Sequence, residues 1–191
     1  MAAKALDKNT AWELVLDAVN RSNVTLSLPG SDKPALDIGQ NGEWELRLPA
    51  ELDARNLLSV FLPLCCPVAQ GSRSRVVGQM GQSLDGRIAT VTGASKFING
   101  EDGITHLHRL RAVSEAVIVG AGTASTDNPR LTVRKTSGIN PVRVVIDRNH
   151  RVPDSHHLFS DEASPTLRLV AGDYHAGDKL TPRHGVTDVP C

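Results

Sequence analysis

Val76-Val-Gly-Gln-Met-Gly-Gln-Ser-Leu-Asp-Gly-Arg-Ile-Ala89 opens the larger part of the chain, and its reading decides the fold. Val76, Val77 and Met80 supply apolar bulk and predict a buried strand. Gly78 and Gly81 leave the backbone bare within it. A glycine inside a strand marks a bulge or a place where a ligand approaches closely. Ser83-Leu-Asp-Gly86 is turn chemistry, with Gly86 free to take positive φ.

Downstream the pattern continues. Thr90 to Lys96 is a polar loop. Asn99 can cap a helix through Asp102 that runs to about Val113. Ile104 and Leu107 face inward, and Arg111 falls at the edge of that face. Glu115-Ala-Val-Ile-Val119 is an apolar run without alternation, closed by Gly120-Ala-Gly-Thr123. Thr126-Asp-Asn-Pro129 makes a turn. Val142-Arg-Val-Val-Ile146, ended by Asp147, and Leu167-Arg-Leu-Val170 are two further strands. Strand, helix, strand, long loop, strand, loop, strand predicts an α/β domain: a mostly parallel central sheet with helices on both faces. Beyond Gly172 the sequence predicts no strand, no amphipathic helix and no repeat.

Upstream, Thr10-Ala-Trp-Glu13 fits a capping box, and Trp12, Val15, Leu16 and Val19 recur with helical period. Val24 to Leu28 reads as a short strand. Leu36-Asp-Ile38 and Trp44-Glu-Leu-Arg-Leu48 alternate around Asn41-Gly42, a hairpin signal. Glu51 to Phe61 suits a second helix. Residues 1–66 are therefore expected to form a small α+β appendage, residues 67–75 a polar linker and residues 76–191 the main domain.

Of the 191 residues 40% are apolar, 22% charged and only 3% aromatic, so the core is aliphatic. Equal numbers of acidic and basic residues, 21 each, give nothing that steers the protein to nucleic acid or an anionic membrane. No apolar run is long enough for a transmembrane helix, and the N-terminus lacks the apolar core of a signal peptide, so a cytoplasmic location is expected. Cys65 and Cys66 are adjacent and Cys191 stands alone, which is neither a metal-ligand spacing nor a disulfide framework. His106 and His108, two apart on a helix, point to different faces and cannot chelate together. No metal site is expected.

In open parallel sheets ligands bind beyond the carboxyl ends of the strands. The bare backbone of Gly120-Ala-Gly122 and the Thr123 hydroxyl could accept a cofactor's phosphate or sugar. Ser95, Arg111 and Arg134 could gather an anion, because guanidinium forks match phosphate geometry. Gly120-x-Gly122-x-x-Ser125 lacks the third small residue and a clear helix behind it, which argues against a dinucleotide fingerprint. There is no Gly-x-Ser-x-Gly elbow and no zinc-deaminase signature.

Taken together, Ser83-Leu-Asp-Gly-Arg-Ile-Ala89, Gly93 to Ser95, Phe97-Ile98, Leu107-His-Arg-Leu-Arg-Ala112, Ala116-Val-Ile-Val-Gly-Ala-Gly-Thr123, Asp127-Asn-Pro-Arg-Leu-Thr-Val-Arg134 and Pro141-Val-Arg-Val-Val-Ile-Asp147 resemble one family. It is the reductase domain of riboflavin-biosynthesis deaminase/reductase proteins, the pyrimidine-reductase branch of the dihydrofolate-reductase-like fold. The resemblance covers residues 76 to about 172. It implies NADPH-dependent reduction of a ribosylamino-pyrimidine 5′-phosphate at the ribose C1′ to the ribityl form. Carried over residue by residue, Gly81, Phe97, Thr123 and Asp127 would lie along NADPH. Ser95, Arg111, Leu131 and Arg134 would hold the phosphorylated substrate. The resemblance assigns no catalytic residue to a position of this sequence, and a homodimer is a family-level expectation.

Departures accompany the resemblance. Gln79 stands where many members carry Lys, and Arg148 where a small hydroxyl residue is common. The family continues for a further half domain with a Glu-Gly-Gly segment and a glycine-rich turn, and neither is found before Cys191. The chain is therefore expected to hold only part of the family domain. Two alternatives remain: a non-catalytic scaffold, or a relative that reduces a different small molecule.

Overall fold

The computed structural model describes residues 5–68, 74–91, 93, 100–172 and 185–191. Ser95 and Phe97 lie outside them. The chain forms two compact units, Met1–Gln79 and Met80–Cys191.

In the first unit, α1 spans Lys8–Ala18 and α2 spans Leu52–Cys65. The α1 N-cap is Asp7, whose carboxylate accepts the N–H groups of Asn9 and Thr10, so the helix starts before the expected Thr10 box. A charged oxygen on two orphan amides outcompetes a threonine hydroxyl further on. α2 runs past Phe61 because Leu62 and Cys65 continue its buried stripe. Its last carbonyls are capped by Arg75, which donates to Pro63 O at 2.8 Å and Leu64 O at 3.0 Å. The two helices pack through Trp12 and Phe61, edge to face with centroids 5.3 Å apart. β1 (Val24–Ser27), β2 (Pro34–Ile38) and β3 (Trp44–Leu46) form an antiparallel sheet in that order. Gly42, at φ +86°, turns the β2–β3 hairpin. Burial pushes the Cys65 thiol up to about 12, as befits a packed core atom.

The second unit is built on a four-stranded parallel sheet of β4 (Ala116–Gly120), β5 (Val142–Ile146), β6 (Thr166–Val170) and β7 (Val186–Pro190). α3 (Glu101–Ala112) precedes it, α4 (Ala121–Asp127) joins β4 to β5, and α5 (His157–Ser160) joins β5 to β6. The mostly parallel sheet with helices, after a small α+β part, is the expected architecture. The strands follow one another in sequence order, and α4 and α5 pack into one shared core on one side of the sheet. There Ala121 and Ala124 of α4 and Leu158 and Phe159 of α5 close a core with Val145, Val152 and Val186. Ile118 and Ile146, of opposite parity in their strands, are exposed.

Three expectations are corrected. Residues 76–82 form no strand: among the described residues they join no ladder, and Val76 and Met80 are exposed at 84% and 70%. A strand needs a partner edge, and Gly78 and Gly81 weaken any that forms. The turn that follows does form, with Gly86 at φ +78° and its N–H bonded to Ser83 O. β7 is a strand where none was expected. Its Val186-Thr-Asp-Val-Pro190 is half polar because it lies at the sheet edge, where proline is tolerated. A helix, α4, does stand directly behind Gly120, held by buried Ala121 and Ala124 rather than by the propensity of its Gly, Thr and Ser residues.

Candidate anion and cofactor site

α3 carries the first half of the site. Its N-cap is Gly100 with no side-chain cap, and acidic residues in the first turn and Arg109 and Arg111 in the last suit the helix dipole. Asn99, the expected cap, lies outside the described residues. His108 and Arg111 are three residues apart and share a face.

The second half is the loop after α4. Asn128 ends α4 in the left-handed region, and its side chain accepts the His157 N–H at 2.8 Å. Leu131 also has positive φ, 54°, although it is buried in the core. Such a conformation in a bulky residue costs energy and survives where packing enforces it. The amides of Val133 and Arg134 are held by side chains. Val133 N donates to Asn140 Oδ1 at 2.7 Å, and Arg134 N to His108 Nδ1 at 2.9 Å. The loop is thus fixed to α3 on one side and to the β5 entry on the other.

Two guanidinium groups meet on it. Arg111 Nη1 donates to Thr132 O at 3.2 Å, and Arg134 Nη1 to the same oxygen at 3.4 Å and to Thr132 Oγ1 at 2.6 Å. Neither arginine forms a salt bridge among the described residues. Arg111 Nε is buried and has no hydrogen-bond partner there. Burial and the Arg134 cation both lower the Arg111 pKa from its ordinary value. Two guanidinium groups with no salt bridge among the described residues have the charge and geometry to suit a dianion such as a phosphate.

Of the residues expected around the substrate, the structure brings together Arg111, Leu131 and Arg134. Ser95 lies outside the described residues. Of those expected along the cofactor, Thr123 and Asp127 lie one helical turn apart on the exposed face of α4. At Gly120 and Gly122 an added Cβ would meet nothing within 4 Å, so the backbone at the end of β4 is open. Gly81 sits in the segment that joins no ladder, and no described contact brings it to α4. Sequence reasoning missed His108, Thr132 and Asn140. The signal for His108 was its helical spacing from Arg111; backbone partners leave no such mark.

Among the described residues no group of three or more His, Cys, Asp or Glu is placed to hold a metal ion. No described helix is long and apolar enough to cross a membrane.

The sequence model of one protein family, described as the RibD C-terminal domain, matches residues 74–177. The chain is 43% identical over 98 residues to the 2,5-diamino-6-ribosylamino-4(3H)-pyrimidinone 5′-phosphate reductase of Methanothermobacter thermautotrophicus, covering 50% of this chain and 44% of that one. It is 39% identical over 102 residues to the riboflavin biosynthesis protein RibD of Bacillus amyloliquefaciens, covering 52% and 28%. A Thermotoga maritima diaminohydroxyphosphoribosylaminopyrimidine deaminase/5-amino-6-(5-phosphoribosylamino)uracil reductase structure aligns with 34% identity and a TM-score of 0.47, over 57% of this chain and 30% of that one. The chain spans less than half the length of these relatives.

Proposed function

Since the chain belongs to the RibD C-terminal domain family, we propose that it takes part in NADPH-dependent reduction of a ribosylamino-pyrimidine 5′-phosphate to its ribitylamino form. The observation that carries the reading is the pair Arg111 and Arg134, converging on Thr132 with no salt bridge to either among the described residues. A sugar phosphate supplies the dianion such a pair requires. Leu131, buried beneath the loop, would present its backbone to the same substrate.

The open backbone at Gly120 and Gly122, with Thr123 and Asp127 on one exposed helix face, fits a nucleotide cofactor at the carboxyl end of β4. Bound NADPH would supply hydride to C1′ of the ring-opened imine form of the substrate, whose C=N bond becomes a single bond as the nitrogen takes a proton from water. The chain's own residues bind and orient: the arginines fix the phosphate end, and thereby the distance from C1′ to the cofactor face. Gly81, Phe97 and Ser95 belong to the same proposed site by family correspondence, as does a homodimer.

Two measurements test this. Fluorescence titration with NADPH is expected to saturate. Consumption of NADPH absorbance is expected only when the ribosylamino-pyrimidine phosphate is added. No binding at millimolar NADPH overturns the reading. Gln79, in place of a cationic residue, favours a second reading in which another phosphorylated small molecule is reduced. A substrate panel separates the two.

A further inference from the structure

His108 is the buried side chain of α3, 3% exposed, in a helix otherwise only half buried. Its Nδ1 accepts the Arg134 N–H at 2.9 Å. A ring that accepts at Nδ1 is neutral, with its proton on Nε2. The charged groups around it are all cations: Arg111 from its own helix, and Arg134 and Lys135 from the loop packed against it. A hydrogen bond with the Thr132 backbone acts in the opposite direction. The balance holds the imidazole pKa down at about 4, with burial the largest cause.

His108 therefore lies beneath the two arginines without adding a third charge to them. The Arg134 amide it accepts belongs to the residue whose guanidinium reaches back to Thr132. Moving that amide moves the guanidinium relative to Arg111.

We propose that His108 is a positioning residue of the anion site: its neutral Nδ1 holds the Arg134 amide so that Arg134 and Arg111 face one phosphate group. The proposal rests on the reading of Arg111 and Arg134 as the phosphate site. Asparagine places an acceptor oxygen where Nδ1 stands, whereas leucine fills the space without accepting. The full chain and its variants are titrated with inorganic phosphate and with ribose 5-phosphate by calorimetry, with thermal melts as the folding control.

H108L is expected to weaken binding about tenfold, the worth of one buried donor left unsatisfied, and H108N to restore most of it. Phosphate affinity unchanged in H108L, with binding lost in R111A, overturns the positioning role and leaves the phosphate reading standing. Affinity unchanged in R111A and R134A overturns both. If H108L does not fold, the ¹⁵N shifts of His108 in the wild-type protein decide. A ring protonated on Nε2 supports the proposal, and one protonated on Nδ1 overturns it.

Discussion

Arg111 and Arg134 donate to one acceptor, the Thr132 carbonyl oxygen, so their like charges lie within two hydrogen-bond lengths of each other. A carbonyl carries no net charge and cannot neutralise two guanidinium groups, and no described carboxylate forms a salt bridge with either. Replacing either arginine by alanine is expected to weaken phosphate binding by ten- to a hundredfold, the worth of about 1.5–3 kcal/mol for a charged hydrogen bond. The wild-type affinity is expected to fall as salt rises, because Arg134 is exposed. Calorimetry at low and high ionic strength reads both effects. Binding indifferent to salt and to both substitutions would remove the site.

The buried neutral His108 couples stability to pH. Its folded pKa lies below the ordinary histidine value, so the unfolded chain binds the proton more readily. Stability from this residue is complete above about pH 6.5, the unfolded value, and is lost as pH falls toward about 4. Arg111, Arg134 and Lys135 oppose protonation from both packed elements. The melting temperature is expected to drop across that window in the wild-type protein and to drop less in H108N. Equal slopes for the two proteins would place the titration elsewhere.

Asp161 titrates in a lower window. Burial would raise its pKa, but the Arg143 hydrogen bond, the Ala163 amide and the Arg143 charge outweigh it, and the carboxyl ends below its ordinary 3.8. Arg143 Nη1 lies 2.6 Å from Asp161 Oδ1, and its other nitrogens bond Thr166 Oγ1 and Ser164 O. A depressed carboxylate stabilises above its unfolded pKa and loses that contribution as pH falls through the folded value. D161A is expected to cost about 3–5 kcal/mol at neutral pH, because it leaves a guanidinium buried and unpaired. Urea unfolding at pH 7 and pH 3 checks both points: the difference between wild type and variant is expected to shrink in acid.

These sites show what periodicity reveals and what it leaves out. Val142-Arg-Val-Val-Ile146 and Ala116-Val-Ile-Val119 were legible as strands from their β-branched runs, although their burial alternates and Ile118 and Ile146 are exposed. The same apolar signal misled at Val76, Val77 and Met80. Side chains that suit burial do not supply a partner edge. β7 was hidden for the opposite reason: an edge strand is free to carry Thr187, Asp188 and Pro190. In the site, the arginines were legible as residue types. Their meeting point was not, since it is a backbone oxygen. His108 was read only against His106 as a metal pair, although its partner is an amide 26 residues away.

Leu131 joins the core to the site, and it decides whether the loop's backbone shape matters to binding. Its φ of 54° is tolerable for a side chain not branched at Cβ and held by packing, and its side chain lies in the cluster with Val145 and Leu158. Valine would keep the site apolar, but its two γ-carbons crowd a left-handed backbone, and it leaves a methylene-sized void. L131V is expected to lose about 2 kcal/mol of stability. Because Thr132 follows directly, the same change is expected to weaken phosphate binding, whereas V145A would lower stability and leave phosphate affinity unchanged. Chemical denaturation and phosphate titration of the two variants separate strain in the loop from loss of core. If both bind phosphate as the wild type does, the left-handed turn serves only the packing of the sheet.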